Sequence, residues 1–198
     1  MRAKRRKNKA ALIVIIVLIA LIAVFFGNAI YKTVHKKYLY NNYPIKYEAL
    51  VEKYSSENNI DKFLIYAIIR VESNFKSDAV SNVGARGLMQ IMEETFEWIR
   101  FRLGDSEELS YDAMFDAEQN IRYGCYLVGY LTRYFENQDA AICAYHAGVG
   151  SVDSWLSNSE YSKDGVRLDK VPTSDTNHYL SKVNKALYYY HKLYTEDN

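Results

Sequence analysis

Residues 61–73, with the sequence DKFLIYAIIRVES, are the stretch that decides the fold. In a helix built from residues 62–72, apolar side chains would lie on most sides, which is typical of a helix at the centre of a core. Asp61 stands where an aspartate caps a helix by accepting a hydrogen bond from a backbone N–H of the first turn. We therefore predict a buried central helix from Lys62 to Glu72.

Segments with helical spacing of apolar residues lie on both sides of this helix, and no stretch alternates apolar and polar residues as a half-buried strand does. Asp116 and Gln119 resemble a capping box. Glycines at 148 and 150 are expected to interrupt the late helices. The fold is therefore predicted to be all-α. The further helices are expected at residues 45–59, 87–103, 116–135, 139–147, 152–156 and 179–194, with a long loop at residues 157–176.

The N-terminus has the pattern of a membrane anchor. Residues 10–26 contain no charged or polar side chain, the stretch extends to Tyr31, and about 20 helical residues span a hydrocarbon core. Basic residues before such a helix stay cytoplasmic, here Arg2, Lys4, Arg5, Arg6, Lys7 and Lys9. A cleaved signal peptide remains the alternative, because residues 27–29 form a small-x-small pattern, although the apolar core is longer than usual.

The predicted domains are a cytoplasmic basic tail at residues 1–9, a transmembrane anchor at 10–31, a juxtamembrane linker at 32–44 and an extracytoplasmic domain at 45–198. Setting aside the six basic residues of the tail leaves 19 basic against 24 acidic residues. A mildly acidic body lacks the basic face that nucleic-acid binding requires, so nucleic acid is excluded as a partner.

Two cysteines, Cys125 and Cys143, would lie in an oxidising compartment, where a disulfide can form. Both fall within apolar helical patterns, which favours buried free thiols. Neither has the spacing of a metal site, and the four histidines do not cluster in the sequence. We expect no metal and no cofactor.

Glu72 ends the apolar central helix. Apolar surroundings and the negative end of a helix both disfavour the carboxylate, so they raise its pKa and keep the group protonated, as a general acid requires. The alternative is an ion pair with Arg70 or Arg86, or a side chain that reaches solvent past the helix end. Glu72 alone does not decide between these interpretations.

Two glycine-containing segments could line a cleft near Glu72. The sequence GARGLMQIM, residues 84–92, is expected to enter a helix, with Met89 and Gln90 on its first turn as cleft wall or as core. The sequence AYHAGVG, residues 144–150, places Tyr145 and His146 beside a broken helix end, where an aromatic ring can stack on a sugar. In a chain with 19 tyrosines, ordinary packing is the alternative.

Five motifs occur in order along the chain: Glu72-Ser73, Gly87-Leu-Met-Gln90, Asn120-Ile-x-x-Gly124, Ala144-Tyr-x-Ala-Gly148 and Pro172-x-x-x-Thr176-x-x-Tyr179. Together they resemble the catalytic domain of the soluble lytic transglycosylases, a family with a lysozyme-like α fold. The resemblance covers residues 45–194, so it identifies the segment from 45 to 198 as the catalytic domain.

The resemblance implies a role for each matching residue. Glu72 becomes the sole catalytic acid and base, and Ser73 helps to polarise the N-acetyl group of the substrate. Tyr145 contacts the catalytic centre, and Tyr179 lies close to it. The implied substrate contacts are Ser73, Met89, Gln90, Tyr145, His146, Asp175 and Tyr179.

Three positions depart from the family pattern. His146 replaces an asparagine, Asp175 replaces a glutamate, and Glu93 stands where proline is common. His146 could add positive charge at acidic pH. These changes put sugar contacts in doubt more than the presence of the acid.

The resemblance implies an enzyme that cleaves the MurNAc–GlcNAc β-1,4 bond of peptidoglycan without water and leaves 1,6-anhydroMurNAc ends. The expected partners are peptidoglycan glycan strands and, through the N-terminal helix, the bacterial cell membrane, with the domain outside the cytoplasm. A hydrolytic muramidase similar to goose-type lysozyme remains an alternative, as does a catalytically idle wall-binding scaffold.

Overall fold

The computed structural model describes residue 22 and residues 24–195 of the 198-residue chain. It divides into two units between Pro44 and Ile45. In the first unit, residues 24–42 are helical, and apolar side chains such as Phe25, Phe26 and Ile30 are exposed. Within the described part of the chain, no helix is both long and apolar enough to cross a membrane. Most of the predicted anchor, at residues 10–21 and 23, and all of the predicted basic tail lie outside the described residues.

The second unit is built from helices. Its described residues form seven α-helices and one 3-10 helix: α1 (Glu48–Glu57), α2 (Lys62–Glu72), α3 (Glu93–Leu103), the 3-10 helix (Tyr111–Phe115), α4 (Ala117–Phe135), α5 (Gln138–Ala147), α6 (Val149–Leu156) and α7 (Ser174–Tyr194). Between residues 24 and 195 there is no regular strand. The predicted all-α fold is confirmed.

The central helix α2 has the predicted bounds, Lys62–Glu72. Asp61 caps it as expected, because its Oδ1 accepts a hydrogen bond of 2.9 Å from the Phe63 N–H. All residues from 63 to 69 are buried, and burying a large apolar side chain contributes about 1.5–3 kcal/mol. The helix packs against α7 and α1. This packing fixes the direction in which its last residue, Glu72, points.

The segment from 80 to 92 differs from the prediction, which started a helix at residue 87. It forms two isolated antiparallel bridges, Val80–Arg86 and Arg86–Ile91, and α3 begins only at Glu93. The backbone has positive φ at Gly84, Gly87 and Gln90, a left-handed conformation that cannot continue a right-handed helix. The expectation that Met89 and Gln90 lie on the first turn of a helix is therefore wrong.

Two later helices start earlier than predicted. Gly148, with φ 83°, is sufficient to interrupt the helix, so α6 begins at Val149 and not at residue 152. The last helix begins at Ser174, five residues before the predicted start at Tyr179. The backbone of Thr173 is extended, and its hydroxyl donates a hydrogen bond of 2.9 Å to the hydroxyl of Thr176. The first turn of α7 is thereby ordered and carries Asp175.

Cys125 and Cys143 are free and buried, so the prediction of free thiols is confirmed and the disulfide alternative is wrong. Burial raises the pKa of the Cys143 thiol to about 12 and raises that of Cys125 as well. Neither thiol is therefore a nucleophile near neutral pH. No group of three or more metal-ligating side chains comes together within the described residues.

Candidate active site

The site is centred on Glu72, the last residue of α2, which is half-buried. Tyr179 reaches it from the first half of α7, and its hydroxyl donates a hydrogen bond of 2.7 Å to Oε1 of Glu72. Burial raises the pKa of Glu72 to about 7, and the hydrogen bond from Tyr179 opposes this rise by favouring the carboxylate. Arg86, one of the predicted ion-pair partners, binds Asp112 instead, with 2.7 Å between Nη1 and Oδ1. Glu72 can therefore exchange a proton near neutral pH.

The ring of Tyr179 has His146 stacked on it. The two ring centroids are 4.5 Å apart, and the planes are 16° from parallel. Burial lowers the pKa of His146, while the charge of Asp175 acts in the opposite direction. The imidazole is therefore neutral near pH 7 and adds positive charge to the site only under acid conditions. Tyr179 thus contacts Glu72, His146 stacks on Tyr179, and the charge of Asp175 reaches His146.

Ser73 follows Glu72 and is buried. Its hydroxyl donates to the backbone carbonyl of Leu88 at 2.8 Å and approaches the Ile69 carbonyl at 3.3 Å. The hydroxyl is therefore bound to backbone and holds the segment from 80 to 92 against the end of α2. Its implied role in polarising an N-acetyl group stays a prediction.

Asn120 holds the same segment from the side of α4. It is fully buried, its Oδ1 accepts from the Met89 N–H at 2.8 Å, and its Nδ2 donates to the carbonyls of Arg86 and Met114 at 3.0 and 2.8 Å. The sequence motif contains Asn120, but we did not predict it as a site residue. The sequence feature that points to Asn120 is its spacing from Gly124, which places the two residues one turn apart on a helix.

Glycine at position 87 is required by this packing. A Cβ there would lie 2.0 Å from the Met114 carbonyl oxygen and 2.2 Å from Nδ2 of Asn120, and φ is +77°. Backbone and a buried amide cannot move aside as the end of a flexible side chain can. The path of the segment from 80 to 92 therefore depends on the fit between Gly87 and Asn120.

The side chain of Met89 lies in the core. It has no exposed surface, and its Sδ packs so closely on α4 that a Cβ at Gly124 would lie 2.1 Å from it. The expectation of a side-chain contact between Met89 and substrate is not met in this structure, because core packing uses the whole thioether. The exposed methionine of the segment is Met92, which sequence analysis did not select.

Gln90 is half-buried and has a left-handed backbone with φ 50°. A residue other than glycine costs about 1–2 kcal/mol there. Its Nε2 donates to the carbonyls of Ala79 and Gly87 at 3.1 and 2.9 Å. These bonds hold the amide at the turn. Its contact with substrate stays a prediction.

Tyr145, on α5, lies on the other side of the segment. Its hydroxyl donates a hydrogen bond of 2.6 Å to the Met89 carbonyl. Burial raises its pKa well above the ordinary value, and the charge of Glu72 adds to this effect. The pKa of Tyr179 is raised by the same two causes. Glu72 thus faces two neutral phenols, from α5 and α7, a setting suited to a carboxyl group that changes its protonation state.

Residues 49–166 match the family model described as the transglycosylase SLT domain. The chain belongs to this family. The membership that five short motifs implied is therefore confirmed.

Curated relatives of the SLT domain are longer than this chain. The soluble lytic murein transglycosylase of Escherichia coli K12 is 33% identical over 148 residues, which are 74% of this chain and 23% of that protein. The membrane-bound lytic murein transglycosylase C of Photorhabdus laumondii is 34% identical over 169 residues, covering 74% of this chain and 47% of that protein. The chain thus spans less than half the length of either relative.

Solved SLT structures share the helical fold. The 70-kDa soluble lytic transglycosylase from Escherichia coli superposes with a TM-score of 0.69 at 30% identity, over 78% of this chain and 25% of that one. A 70-kDa soluble lytic transglycosylase in complex with bulgecin A gives a TM-score of 0.71 at 30% identity, over 81% and 26%. The all-α architecture is consistent with the lysozyme-like fold of the SLT domain.

Proposed function

We propose that the second unit is a peptidoglycan lytic transglycosylase that cleaves the β-1,4 bond between MurNAc and GlcNAc. The observation that carries this proposal is the half-buried carboxyl of Glu72, whose pKa is raised to about 7 and which is bound to Tyr179. Membership of the SLT family supports the substrate, because relatives in that family are named lytic murein transglycosylases.

In the first step, protonated Glu72 donates its proton to the glycosidic oxygen, and the bond from C1 of MurNAc to that oxygen breaks. Since Tyr179 donates to Oε1, the transferable proton sits on Oε2. The acetamido oxygen of the substrate stabilises the positive charge that develops at C1. Glycosidases with two carboxylates use the second one for this purpose or to activate water. The shift in the pKa of Glu72 comes from burial and from the hydrogen bond of Tyr179, and a second carboxylate does not contribute to it.

In the second step, ionised Glu72 removes the proton of the C6 hydroxyl, and O6 bonds to C1 of the same sugar. The net result transfers one proton from O6 to the leaving oxygen, and no water is consumed. Closure within one sugar is favoured by proximity. The hydrogen bond from Tyr179 stabilises the carboxylate that forms between the two steps. It therefore favours proton donation by Glu72 in the first step and opposes proton uptake in the second.

The substrate contacts in this proposal are Ser73, Gln90, Tyr145, His146, Asp175 and Tyr179, while Met89 supports the cleft through its backbone. The stack of His146 on Tyr179 offers an imidazole edge next to the tyrosine that binds the reacting carboxyl. Asp175 is exposed at the start of α7 and offers a carboxylate to sugar hydroxyls or amides.

The same proposal places the protein in the bacterial cell membrane as a single-pass protein with a cytoplasmic N-terminus. The apolar run that begins at residue 10 and the six basic residues before it support this topology. The Photorhabdus laumondii relative, which is named membrane-bound, supports association with a membrane. Carbonate extraction of membranes tests the anchor: the chain is expected to stay in the pellet. Protease added to intact protoplasts is expected to remove residues 45–198.

A digest of purified sacculi tests the chemistry. The full-length chain in detergent is expected to release fragments with 1,6-anhydroMurNAc ends, identified by mass spectrometry, and Glu72→Gln is expected to release none. Reducing MurNAc ends would show a hydrolytic muramidase. Equal release by the two proteins would show that Glu72 is not the catalytic acid, and no release by either would favour a wall-binding scaffold.

A further inference from the structure

The helix at residues 24–42 carries a stripe of exposed apolar and aromatic side chains. Ile30, Val34 and Tyr38 follow one another at four-residue spacing, so they lie on one face of the helix, and each is 60% or more exposed. Contiguous apolar surface of this kind marks contact with a membrane or with a protein partner. The apolar run at residues 10–26 of the sequence extends into this helix, which favours the membrane as the partner of the stripe.

Three aromatic rings are stacked along one side of the same helix. The ring centroids of Tyr31 and His35 are 5.6 Å apart, with planes 6° from parallel, and those of His35 and Tyr38 are 6.4 Å apart, with planes 19° from parallel. All three side chains are exposed. Tyrosine rings, which have apolar faces and a polar edge, are typical of the boundary between hydrocarbon and water. The stack therefore suits the headgroup level of a bilayer.

Exposed lysines stand beside these rings. Lys32 and Lys36 lie one turn apart on the same side of the helix, and Lys37 follows them in the sequence. The Nζ atom of Lys36 lies 5.7 Å from the centroid of the Tyr40 ring. Neither Lys32 nor Lys37 has an ion-pair partner among the residues that the structure describes. Their positive charge is therefore available to an anionic ligand.

The acidic residues of the chain all lie after this helix. The first of the 24 is Glu48, whereas residues 32–46 carry four lysines and no acidic residue. Basic residues that follow a membrane anchor oppose the orientation in which the N-terminus stays cytoplasmic, and here the six basic residues before the anchor outnumber them. Topology therefore does not explain the four lysines, but attraction to an anionic surface does.

We propose that residues 31–38 bind the headgroups of anionic phospholipids in the extracytoplasmic leaflet of the membrane. This inference rests on the proposed membrane topology and deepens it by naming the class of lipid. The lysine ammonium groups and tyrosine hydroxyls donate to the lipid phosphate, while the apolar stripe lies against the start of the acyl chains. Each lysine near an anionic membrane surface strengthens binding about fivefold.

A soluble short-chain lipid tests the proposal on the intact protein. The full-length chain in a neutral detergent is titrated with dihexanoyl phosphatidylglycerol, and native mass spectrometry measures how much lipid is bound. We expect tighter binding of this lipid than of dihexanoyl phosphatidylcholine, which has no net charge. Lys32→Gln combined with Lys37→Gln is expected to weaken binding of the phosphatidylglycerol about 25-fold and to leave the phosphatidylcholine unaffected. Equal affinity of the wild type for the two lipids would overturn the proposal.

Two further double variants separate the local charge from the total charge. Lys32→Arg combined with Lys37→Arg keeps the charge and is expected to bind phosphatidylglycerol like the wild type. Lys182→Gln combined with Lys185→Gln removes the same charge from exposed positions of α7 and is expected to leave binding unchanged. If the α7 variant loses as much affinity, the net charge of the protein attracts the lipid and the inference is wrong.

The remaining outcomes identify other ligands and separate this inference from the proposed topology. If glycerol 1-phosphate at the same concentration displaces the lipid, the lysines bind a free phosphate group and the membrane assignment is wrong. A chain that stays in the carbonate pellet but does not prefer phosphatidylglycerol retains the topology and loses the inference. A chain that carbonate releases, but that binds phosphatidylglycerol through Lys32 and Lys37, loses the single-pass topology and retains the lipid-binding surface.

Discussion

The hydroxyl of Tyr179 lies 2.7 Å from Oε1 of Glu72, although the two residues are 107 positions apart in the chain. Burial favours the neutral form of Glu72, and this hydrogen bond favours the charged form. The balance leaves a pKa of about 7, at which one carboxyl group can first give and then take a proton. Packing of α2 against α7 sets that balance.

Replacing Tyr179 with phenylalanine tests the balance directly. The change removes a hydrogen bond to the carboxylate and keeps the ring on which His146 stacks. We expect the pKa of Glu72 to rise, so the alkaline limb of the pH–rate profile moves to higher pH. The maximal rate is expected to fall about tenfold, because the carboxylate formed in the first step loses a stabilising bond. Tyr188→Phe, at an exposed position of the same helix, is the control. A limb that does not move would contradict this account.

The pH dependence of wild-type activity follows from the protonated acid. At pH values above about 7, the protonated fraction of Glu72 declines, so kcat/KM is expected to fall about tenfold for each further pH unit. The measurement is release of soluble fragments from sacculi between pH 5 and pH 9, with stability checked at each pH. A rate that is flat from about pH 6 to pH 9 would exclude Glu72 as an acid with this pKa.

The raised pKa of Glu72 should also make the stability of the folded protein depend on pH. The folded-state pKa of Glu72 is raised above its ordinary value of 4.5, so the folded protein binds the proton more tightly than the unfolded chain. Stability is therefore lost as pH rises from about 4.5 through about 7. Relative to wild type, Glu72→Gln is expected to be more stable by about 1–3 kcal/mol at pH 8 and to gain much less at pH 4.

Urea unfolding at the two pH values measures this difference. Phe101→Leu, at an exposed position that carries no titratable group, is the control and should change stability equally at both. If Glu72→Gln gives the same change in unfolding free energy at pH 4 and pH 8, the carboxyl is not protonated preferentially in the folded state.

Asn120 should be a large contributor to stability for a polar residue. Asn120→Ala leaves the Met89 N–H and the carbonyls of Arg86 and Met114 without their buried partner. We expect a loss of about 2–4 kcal/mol. Asn184→Ala removes one exposed hydrogen bond to Asp139 and is expected to cost less than about 1 kcal/mol. Chemical denaturation of both variants checks the contrast, and equal costs would contradict it.

Gly87→Ala tests how closely Gly87 packs against Asn120. Its Cβ would meet the Met114 carbonyl and the Asn120 amide, and its φ of +77° is unfavourable to alanine. We expect destabilisation of more than about 2 kcal/mol. Gly150→Ala is the control, because a Cβ there meets nothing within 4 Å and alanine favours the helix by up to about 1 kcal/mol. Thermal unfolding measures the stability of both variants, and equal changes in stability would contradict the packing argument.

The parts of the fold that follow from local rules could be predicted from the sequence. Asp61 and the apolar run after it define α2 to the residue, because capping and hydrophobic spacing act within one or two turns. The partner of Glu72 could not be found this way, since Tyr179 reaches it only through the packing of two distant helices. The sequence wrongly predicts residues 87–92 as helical, because the tertiary bonds that hold the left-handed residues of this segment leave no periodic signal.

Side chains from three separate helices hold the main chain of the segment from 80 to 92. Ser73 at the end of α2 binds the Leu88 carbonyl, Asn120 of α4 binds the Met89 N–H, and Tyr145 of α5 binds the Met89 carbonyl. The path of this segment therefore depends on bonds to its main chain and little on its exposed side chains. Exposed positions of the segment such as Met92 and Val83 can therefore be exchanged while the main chain keeps its path.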